Sequence, residues 1–421
     1  MKMRILVPSS IIDVTDEIQA CLSLAKQQGF DIDNIELGVS STQLVELVSL
    51  HGATTIFSDI ISTDLYDANY LLRYQERTFQ DSHIKRDNVV HLSIEDQGVS
   101  LDVWRHPSNS EVRALSSERP ITEAQRINHF AWVIALLALD FPIEDCLTLA
   151  RAQLNVSRET WASEYSLFPI PVLEHSMLGI VTDWNFEGSV TPNNTLAFGL
   201  LSKESLGLYP VVDDIAWIER LLALGVNTIQ LRIKNSQQSD LEQQIVQAIE
   251  LGKQYQAQVF INDYWQLAIE HGAFGVHLGQ EDINESNLDA LAQANVRLGL
   301  STHGYYELLR ITQINPSYIA LGHIFPTTTK QMPSLPQGLV RLKLYQQLID
   351  TIPYGDDIGF PTVAIGGIDL TNANQVWQCG VSSLAVVRAI TLSNDPKSVV
   401  DAFAKVIPPV QTTESIAEVT L

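Results

Sequence analysis

Short apolar runs and amphipathic stretches follow one another in a regular order through the second half of the chain. The apolar runs predict eight strands, at residues 206–212, 228–234, 258–263, 275–280, 297–302, 318–323, 362–367 and 384–390. A stretch with helical spacing of its apolar positions follows each of them. The strands are rich in Val, Ile and Leu, which is typical of parallel strands buried on both faces. Eight even units in about 200 residues favour a closed TIM (β/α)8 barrel over a doubly wound sheet.

The second of these strands carries an unusual polar face. Ile229, Leu231 and Ile233 alternate with the polar positions Gln230, Arg232 and Lys234. On an isolated strand such a face indicates a solvated edge. In the second strand of a barrel it indicates the wall of a pocket for an anion, because Arg and Lys supply charge and Gln orients a ligand.

The first half of the chain has a different pattern. Strands are predicted at residues 3–7, 34–39 and 54–59, with helices at 15–28 and 42–51 between them. This βαβαβ order predicts a smaller α/β domain with a parallel sheet at residues 1–165. Further along we expect a loop at 66–86, a β-hairpin formed by 88–93 and 99–104, and helices at 122–139 and 142–154. Residues 166–205, with their Pro and Gly, predict a linker, 206–410 the barrel, and 411–421 a flexible tail.

Composition limits the partners. Hydrophobic residues make up 45% of the 421 residues and charged residues 18%, as in globular proteins. The net charge of −23 argues against nucleic acid and anionic membranes as partners. The three cysteines are far apart and form no disulfide or zinc pattern, and neither a secretory signal nor a membrane span is evident. We therefore expect a cytoplasmic protein that acts on small molecules, either as a monomer or as a homo-oligomer.

Polar groups concentrate where the predicted barrel strands end, which is where TIM barrels carry their active sites. Such groups are Asn262 and Asp263 at the end of the third strand, Glu281 and Asp282 after the fourth, Ser301 in the fifth, Thr327, Thr328, Thr329 and Lys330 after the sixth, Gly366 and Gly367 in the seventh, and Val387 and Arg388 in the eighth. Asp263 and Asp282 can form a salt-bridge network, or they can hold Mg²⁺ together with phosphate oxygens. The Gly pair predicts either a tight turn or a phosphate site made of backbone N–H groups.

Several of these segments resemble one enzyme family. Residues 207–213, 230–234, 260–265, 275–282, 298–303, 320–330, 336–338 and 363–368 are similar to motifs of thiamine phosphate synthases, in the same order, across about residues 206–406. The resemblance implies a transferase of thiamine biosynthesis. Such enzymes join a hydroxymethylpyrimidine pyrophosphate to a thiazole phosphate, or to its carboxylated form, and release thiamine phosphate and pyrophosphate. The pyrophosphate leaves first, and the resulting pyrimidine-methyl cation is captured by the thiazole nitrogen.

The same resemblance implies roles for individual residues. Asp263 and Asp282 would hold Mg²⁺ as the cofactor, and Arg232, Lys234, Ser301 and Lys330 would be catalytic. The substrate-binding set would be Gln230, Leu231, Arg232, Ile233, Lys234, Asn262, Ser301, Thr327, Thr328, Thr329, Lys330, Gly367, Val387 and Arg388. Many family members have Ser where this chain has Arg388, and a backbone N–H contact survives that change. The Arg388 side chain would either add charge to the phosphate or point away from it. Residues 327–337 have the composition of a closing lid.

A weaker resemblance concerns residues 126–145, which are similar to the C-terminal helices of hydroxymethylpyrimidine phosphate kinases of the ribokinase-like fold. In those kinases a Gly-rich anion hole and a catalytic Asp precede this helix, but residues 126–131 contain neither Gly nor Asp. We interpret the first domain as a degenerate, non-catalytic remnant, with an unrelated α/β accessory domain as the alternative. Two other hypotheses remain open: a bifunctional kinase–synthase, and a non-catalytic barrel that binds thiazole phosphate.

Overall fold

The computed structural model describes residues 3–62, 66–74, 86–182, 184, 198–327 and 335–407. The chain divides into two compact units, Met1–Thr182 and Asp183–Leu421. Within the described residues, we find no helix that combines the length and the apolar character needed to cross a membrane.

The first unit is built on a nine-stranded sheet of order β2-β1-β3-β4-β5-β6-β7-β8-β9. Its strands are β1 (Met3–Pro8), β2 (Ile35–Ser40), β3 (Val45–Ser49), β4 (Gly52–Ser58), β5 (Tyr70–Arg73), β6 (Val89–Asp96), β7 (Val99–Arg105), β8 (Val112–Ser117) and β9 (Ile170–Pro171). Its helices are α1 (Val14–Gln28), α2 (Arg126–Ala138) and α3 (Ile143–Gln153). The predicted hairpin of β6 and β7 is confirmed.

Two predictions for this unit are wrong. Residues 42–51 do not form a helix, because β3 runs antiparallel between β1 and β4. Val45 and Leu47 are buried on one side of β3, so period-two burial decides its conformation. The expected loop at 66–86 contains β5, which pairs in parallel with β4 and β6. The sheet of this α/β unit is consequently mixed, with parallel and antiparallel pairs.

A buried ion pair ties α3 to the sheet of the first unit. Arg151 Nη2 donates to Asp102 Oδ1 at 2.6 Å, and its Nε donates to the other carboxylate oxygen. Asp102 is fully buried and Arg151 nearly so. Breaking such a pair leaves an uncompensated charge in the core, so we expect it to fix the position of α3.

The second unit is a closed eight-stranded parallel barrel, as predicted. Its strands are β10 (Gly207–Val212), β11 (Thr228–Leu231), β12 (Gln258–Asn262), β13 (Gly275–Leu278), β14 (Arg297–Thr302), β15 (Tyr318–Gly322), β18 (Thr362–Ile365) and β19 (Ser383–Val386). The barrel closes where β10 pairs with β19. The predicted last strand is too long, because residues after Val387 turn into a short helix.

Helices surround the barrel in the expected alternation. They are α4 (Ile215–Ala223), α5 (Leu241–Tyr255), α6 (Trp265–Glu270), α7 (Gln280–Asn284), α8 (Leu288–Gln293), α9 (Tyr305–Thr312), α10 (Gly338–Ile349), α11 (Ala373–Trp377), α12 (Arg388–Thr391) and α13 (Pro396–Phe403). Apolar spacing at 3.6-residue periodicity buries one stripe of each longer helix, as Ile245, Ala248 and Ile249 show for α5.

The bottom of the barrel is closed by residues that precede it in the chain. Leu201 and Leu206 are buried in the same apolar cluster as the barrel core. The N–H of Leu201 donates to Tyr354 Oη at 2.8 Å, and that hydroxyl donates to the carbonyl of Ser317 at 2.8 Å. Tyr354 belongs to a small hairpin of β16 (Pro353–Tyr354) and β17 (Asp357–Ile358). The last residues of the predicted linker therefore pack as part of the barrel.

Candidate active site

The segment after β11 begins the wall of the barrel mouth. Gln230 lies within the strand and is buried, whereas Arg232 is half-buried and Lys234 exposed just beyond the strand's end. Leu231 and Ile233 are buried, so they can reach a ligand only through their backbone. The N–H of Arg232 donates to the carbonyl of Val212 at 2.7 Å, so the segment stays bonded to β10 for one residue beyond the end of β11.

Two carboxylates follow the neighbouring strands β12 and β13. Asn262 is buried at the end of β12, and the next residue, Asp263, is exposed with a left-handed backbone at φ +65°. Asp282 lies in the first turn of α7, where its Oδ2 accepts the N–H of Gly279 at 2.9 Å. Gly279 is the residue that precedes α7, so this bond fixes the Asp282 carboxylate at the start of the helix.

A chain of hydrogen bonds crosses the barrel interior below these groups. Gln230 Nε2 donates to Tyr209 Oη at 3.2 Å, and Tyr209 Oη lies 2.8 Å from Tyr318 Oη. Tyr318 Oη lies 2.8 Å from Nδ1 of His277, and Nε2 of the same ring lies 2.9 Å from Ser301 Oγ. Five side chains from β10, β11, β13, β14 and β15 thus form one network that ends at Ser301.

The second attachment of Ser301 is through its backbone. Gln280 Nε2 donates to the carbonyl of Ser301 at 2.6 Å. Gln280 is the first residue of α7, so the helix that carries Asp282 also holds the end of β14. The arrangement couples the position of Ser301 to the position of the Asp282 carboxylate.

Two consecutive glycines follow β18 at the opposite side of the mouth. Gly366 has φ +105° and Gly367 φ +66°, and a Cβ on Gly367 would come within 2.7 Å of Phe325 Cβ. The N–H of Phe325 donates to the carbonyl of Gly366 at 3.0 Å, so the loops after β15 and β18 are in close contact. Left-handed glycine pairs of this kind can turn successive N–H groups towards one point, which suits a phosphate.

One histidine, His323, lies beside this turn, and a second, His303, is its electrostatic neighbour. His323, directly after β15, is buried, and His303 follows β14. Burial lowers the pKa of His323, and the proximity of His303 lowers it further. We expect a neutral imidazole at neutral pH, which can take part in hydrogen bonds without adding charge.

The remaining predicted residues fall into two groups. Thr327 is half-buried after β15, and Thr328, Thr329 and Lys330 lie outside the described residues. Val387 is half-buried and Arg388 exposed at the start of α12. The carbonyl of Val387 accepts the N–H groups of Ile390 and Thr391, at 3.1 and 3.0 Å. The lid prediction for residues 327–337 falls largely outside the described part of the chain and stays a prediction.

Sequence reasoning missed the interior members of the network. Tyr209 and His277 lie inside motifs that carry the family resemblance, and Tyr318 begins a predicted strand, yet none of the three was identified as part of the site. The available signal was the parity of each residue along its strand, since inward positions alternate with outward ones. That signal gives the face but not the partner across the barrel.

The donor set at the mouth suits a hard divalent cation. Mg²⁺ binds carboxylate oxygens and substrate phosphates, and Asp263 and Asp282 offer carboxylates from adjacent strands. Asp282 is held through one oxygen, and its second oxygen can serve a metal. Among the described residues a separate group, Glu242, Glu270 and His271, brings three potential ligand atoms within 4.8 Å of one another. It lies on the outer helices α5 and α6 and just after α6, and its two glutamates are exposed.

The fold and the groups at the barrel mouth together define the class of protein. It is a TIM-barrel protein with polar and charged side chains at the carboxyl ends of its strands. A model of the family described as thiamine monophosphate synthase matches residues 208–390. A thiamine-phosphate synthase of Yersinia pestis (strain Pestoides F) is 59% identical over 194 residues, covering 46% of this chain and 86% of the relative. That of Proteus mirabilis (strain HI4320) is 57% identical over 194 residues, with the same coverage. The chain belongs to the thiamine-phosphate synthase family.

Among solved structures, a thiamine phosphate pyrophosphorylase from Pyrococcus furiosus is 27% identical, with a TM-score of 0.42. The match covers 48% of this chain and 96% of the Pyrococcus furiosus chain. The family model lies within the second unit, so the resemblance to thiamine phosphate synthases is confirmed there. The kinase-like interpretation of residues 126–145 gains no support from these matches and stays a prediction.

Proposed function

We propose that this chain is a transferase that makes thiamine phosphate from hydroxymethylpyrimidine pyrophosphate and a thiazole phosphate, in thiamine biosynthesis. The observation that carries the proposal is 59% identity over 194 residues to a thiamine-phosphate synthase, a match that covers 86% of that relative. The reaction breaks the bond between the pyrimidine methylene and the pyrophosphate oxygen. It then forms a bond from that carbon to the thiazole nitrogen.

The chemical task of the protein is to stabilise the departing pyrophosphate. Charge develops on this group as the bond breaks, so donors and cations already in place lower the barrier. Arg232 and Lys234 follow β11, and Ser301 lies across the mouth on β14. Lys330 belongs to the same proposed set. When bound at Asp263 and Asp282, Mg²⁺ would supply further positive charge to the pyrophosphate.

The two rings must also be held in line. Gln230 and Asn262 are buried at the ends of adjacent strands and can hydrogen-bond the edge of the pyrimidine. On the far side, the turn at Gly367 and the N–H groups that start α12 at Val387 and Arg388 would bind the phosphate of the thiazole. Holding both substrates in this way lowers the entropy cost of bringing the two rings together for the reaction.

The metal proposal can be tested with charge-removing variants that keep the local hydrogen bonds. Asp282→Asn retains an oxygen that can accept the N–H of Gly279, so the start of α7 should persist. We expect Asp263→Asn and Asp282→Asn each to lower the rate of thiamine phosphate formation by about 100-fold or more at fixed Mg²⁺. Product is measured after oxidation to the fluorescent thiochrome form.

A matched control separates the mouth from the outer group of potential ligands. Glu270→Gln removes one carboxylate from the group on α5 and α6 and should leave the Mg²⁺ dependence as in the wild type. Full activity in both Asp variants would refute the metal assignment. Absence of product from the wild-type chain with both substrates and Mg²⁺ would refute the synthase function itself.

We propose, in addition, that the first unit has no kinase activity. The start of α2, where the similar kinases carry a Gly-rich anion hole, is formed here by residues with side chains, beginning at Arg126. An anion hole needs backbone N–H groups that a ligand can approach closely, which glycine permits. With hydroxymethylpyrimidine phosphate and ATP, the full chain should form no ADP above background, and steady ADP formation would contradict this proposal.

A further inference from the structure

The hydrogen-bond network in the barrel has a definite direction, and its first member sets it. Gln230 presents its Nε2 to Tyr209 Oη at 3.2 Å, and an amide nitrogen can only donate. Tyr209 Oη therefore accepts at this contact. In the described part of the barrel its second partner is Tyr318 Oη at 2.8 Å.

The hydroxyl proton of Tyr209 then has to go to Tyr318. If Tyr318 donated instead, Tyr209 would accept twice, and its own buried O–H would lose its acceptor, which is unfavourable for a donor shielded from water. Both tyrosines are almost completely buried, and burial raises the pKa of each hydroxyl, so both keep their protons. Tyr318 consequently accepts from Tyr209 and has its proton left for His277.

The same order of donor and acceptor continues through the imidazole of His277 to Ser301 at the barrel mouth. Tyr318 Oη donates to Nδ1 of His277 at 2.8 Å, so that nitrogen carries no hydrogen. The ring proton is on Nε2, which lies 2.9 Å from Ser301 Oγ and donates to it. Ser301 accepts from the ring, and its own O–H is left to point elsewhere.

We propose that Tyr209, Tyr318 and His277 are positioning residues that hold Ser301 as a hydrogen-bond donor to the phosphate oxygens of the leaving pyrophosphate. This step rests on the proposed synthase function. The opposite direction would let Nε2 of His277 accept the proton of Ser301, which would favour a nucleophilic or basic serine. The direction inferred here excludes that role and assigns Ser301 to electrostatic stabilisation.

The tautomer of His277 is a direct readout that does not depend on activity. In ¹⁵N-histidine-labelled full-length protein, long-range ¹H–¹⁵N correlation distinguishes a protonated ring nitrogen from a bare one. We expect His277 to show a bare Nδ1 and a protonated Nε2, with its signals assigned by their loss in His277→Asn. A protonated Nδ1 with a bare Nε2 would overturn the proposal, whether or not the chain makes thiamine phosphate.

Tyr318→Phe tests whether the network acts on the reaction. The variant removes the donor to His277 and keeps the ring, so we expect kcat to fall by about 10- to 100-fold, as for the loss of one hydrogen bond to a charged group. The KM values should change by less than about threefold, because the strengthened contact forms in the transition state. In a Ser301→Ala background the same substitution should lower kcat by less than about twofold, since the residue being positioned is gone.

Tyr354→Phe is the matched control. It also removes a buried tyrosine hydroxyl with two hydrogen bonds, to Leu201 and Ser317, but at the bottom of the barrel. It should reduce the free energy of unfolding and leave both kcat and the His277 tautomer as in the wild type. Equal kcat values for Tyr318→Phe and Tyr354→Phe, in a wild-type chain that makes product, would overturn the positioning role while leaving the proposed function intact.

Discussion

Replacing Gly366 with alanine should displace the loop that follows β15 and weaken binding of the thiazole phosphate. Gly366 has φ +105°, a conformation that residues with a Cβ rarely adopt. A Cβ built there would lie 2.7 Å from the Cα of His323 and 3.1 Å from the backbone N of Ile324. Ordinary carbon contacts are about 3.5–4.0 Å, so the backbone at His323 would have to retreat by about 1 Å.

The cost has two parts. A left-handed conformation costs an l-residue about 1–2 kcal/mol. Pressing a methyl group against backbone costs about 1–3 kcal/mol more, unless the loop moves. Together we expect Gly366→Ala to lower the free energy of unfolding by about 2–5 kcal/mol. Movement of the loop would separate the turn from the phosphate, and losing one charge-assisted hydrogen bond raises KM by about 10- to 100-fold.

The control for this prediction is Gly225→Ala. Gly225 has φ +83°, and a Cβ there would meet nothing within 4 Å, so it shares the backbone strain without the close contact. Urea unfolding and steady-state kinetics with varied thiazole phosphate should show a loss of stability in both variants but a higher KM only in Gly366→Ala. An unchanged KM in Gly366→Ala would refute the role of this turn in phosphate binding.

Three further predictions concern other contacts. Arg151→Leu should lower the free energy of unfolding of the first unit by about 3–5 kcal/mol, because the carboxylate of Asp102 is left buried without its partner. Urea unfolding followed by tryptophan fluorescence measures this loss. Adding Asp102→Leu should recover much of the lost free energy. The pKa of His129 is lowered by burial from 6.5 to about 3, so the unfolded chain binds the extra proton between these values. The contribution of neutral His129 to the free energy of unfolding is fully present above about pH 6.5, and it falls by about 1.4 kcal/mol per pH unit as the pH drops towards 3. Urea unfolding at several pH values should show that a His129→Gln variant lacks this pH dependence. Gln337→Ala removes the donor to the carbonyl of Gly322 at 2.9 Å, so kinetics should show KM for the thiazole phosphate raised by about 2- to 10-fold; an unchanged KM would mean that the loop after β15 holds its place without this bond.

Local patterns in the sequence were sufficient to predict the barrel strands, because the residues of each strand share the same kind of buried environment. The eight barrel strands were predicted with bounds within a few residues, because Val, Ile and Leu fill both faces of a parallel strand. The helix predicted at residues 42–51 was wrong because the short apolar run around Val45 and Leu47 fits a helix or a strand equally well. Its pairing with β1 and β4 decided the outcome, and such pairing is not encoded locally.

The candidate site shows the same division. Asp263, Asp282 and Ser301 could be proposed from the sequence because they lie at or just after the ends of predicted strands, and strand ends meet at one edge of a barrel. Tyr209, Tyr318 and His277 could not be grouped from the sequence. Their contacts join residues 41 to 109 positions apart, and only the closure of the barrel brings them together.

The interior aromatic rings also explain two glycines that the strand pattern alone leaves unexplained. A Cβ on Gly275 would collide with the ring of Phe260, and one on Gly299 with the ring of Tyr318. The two rings lie 5.2 Å apart with an interplanar angle of 85°, so each large residue needs a missing side chain on a neighbouring strand. The hydroxyl of Tyr318 can reach His277 only because β14 offers this space at Gly299. The packing of the aromatic layer and the direction of the hydrogen bonds to Ser301 are therefore one constraint, and a change that fills the layer must also disturb the serine above it.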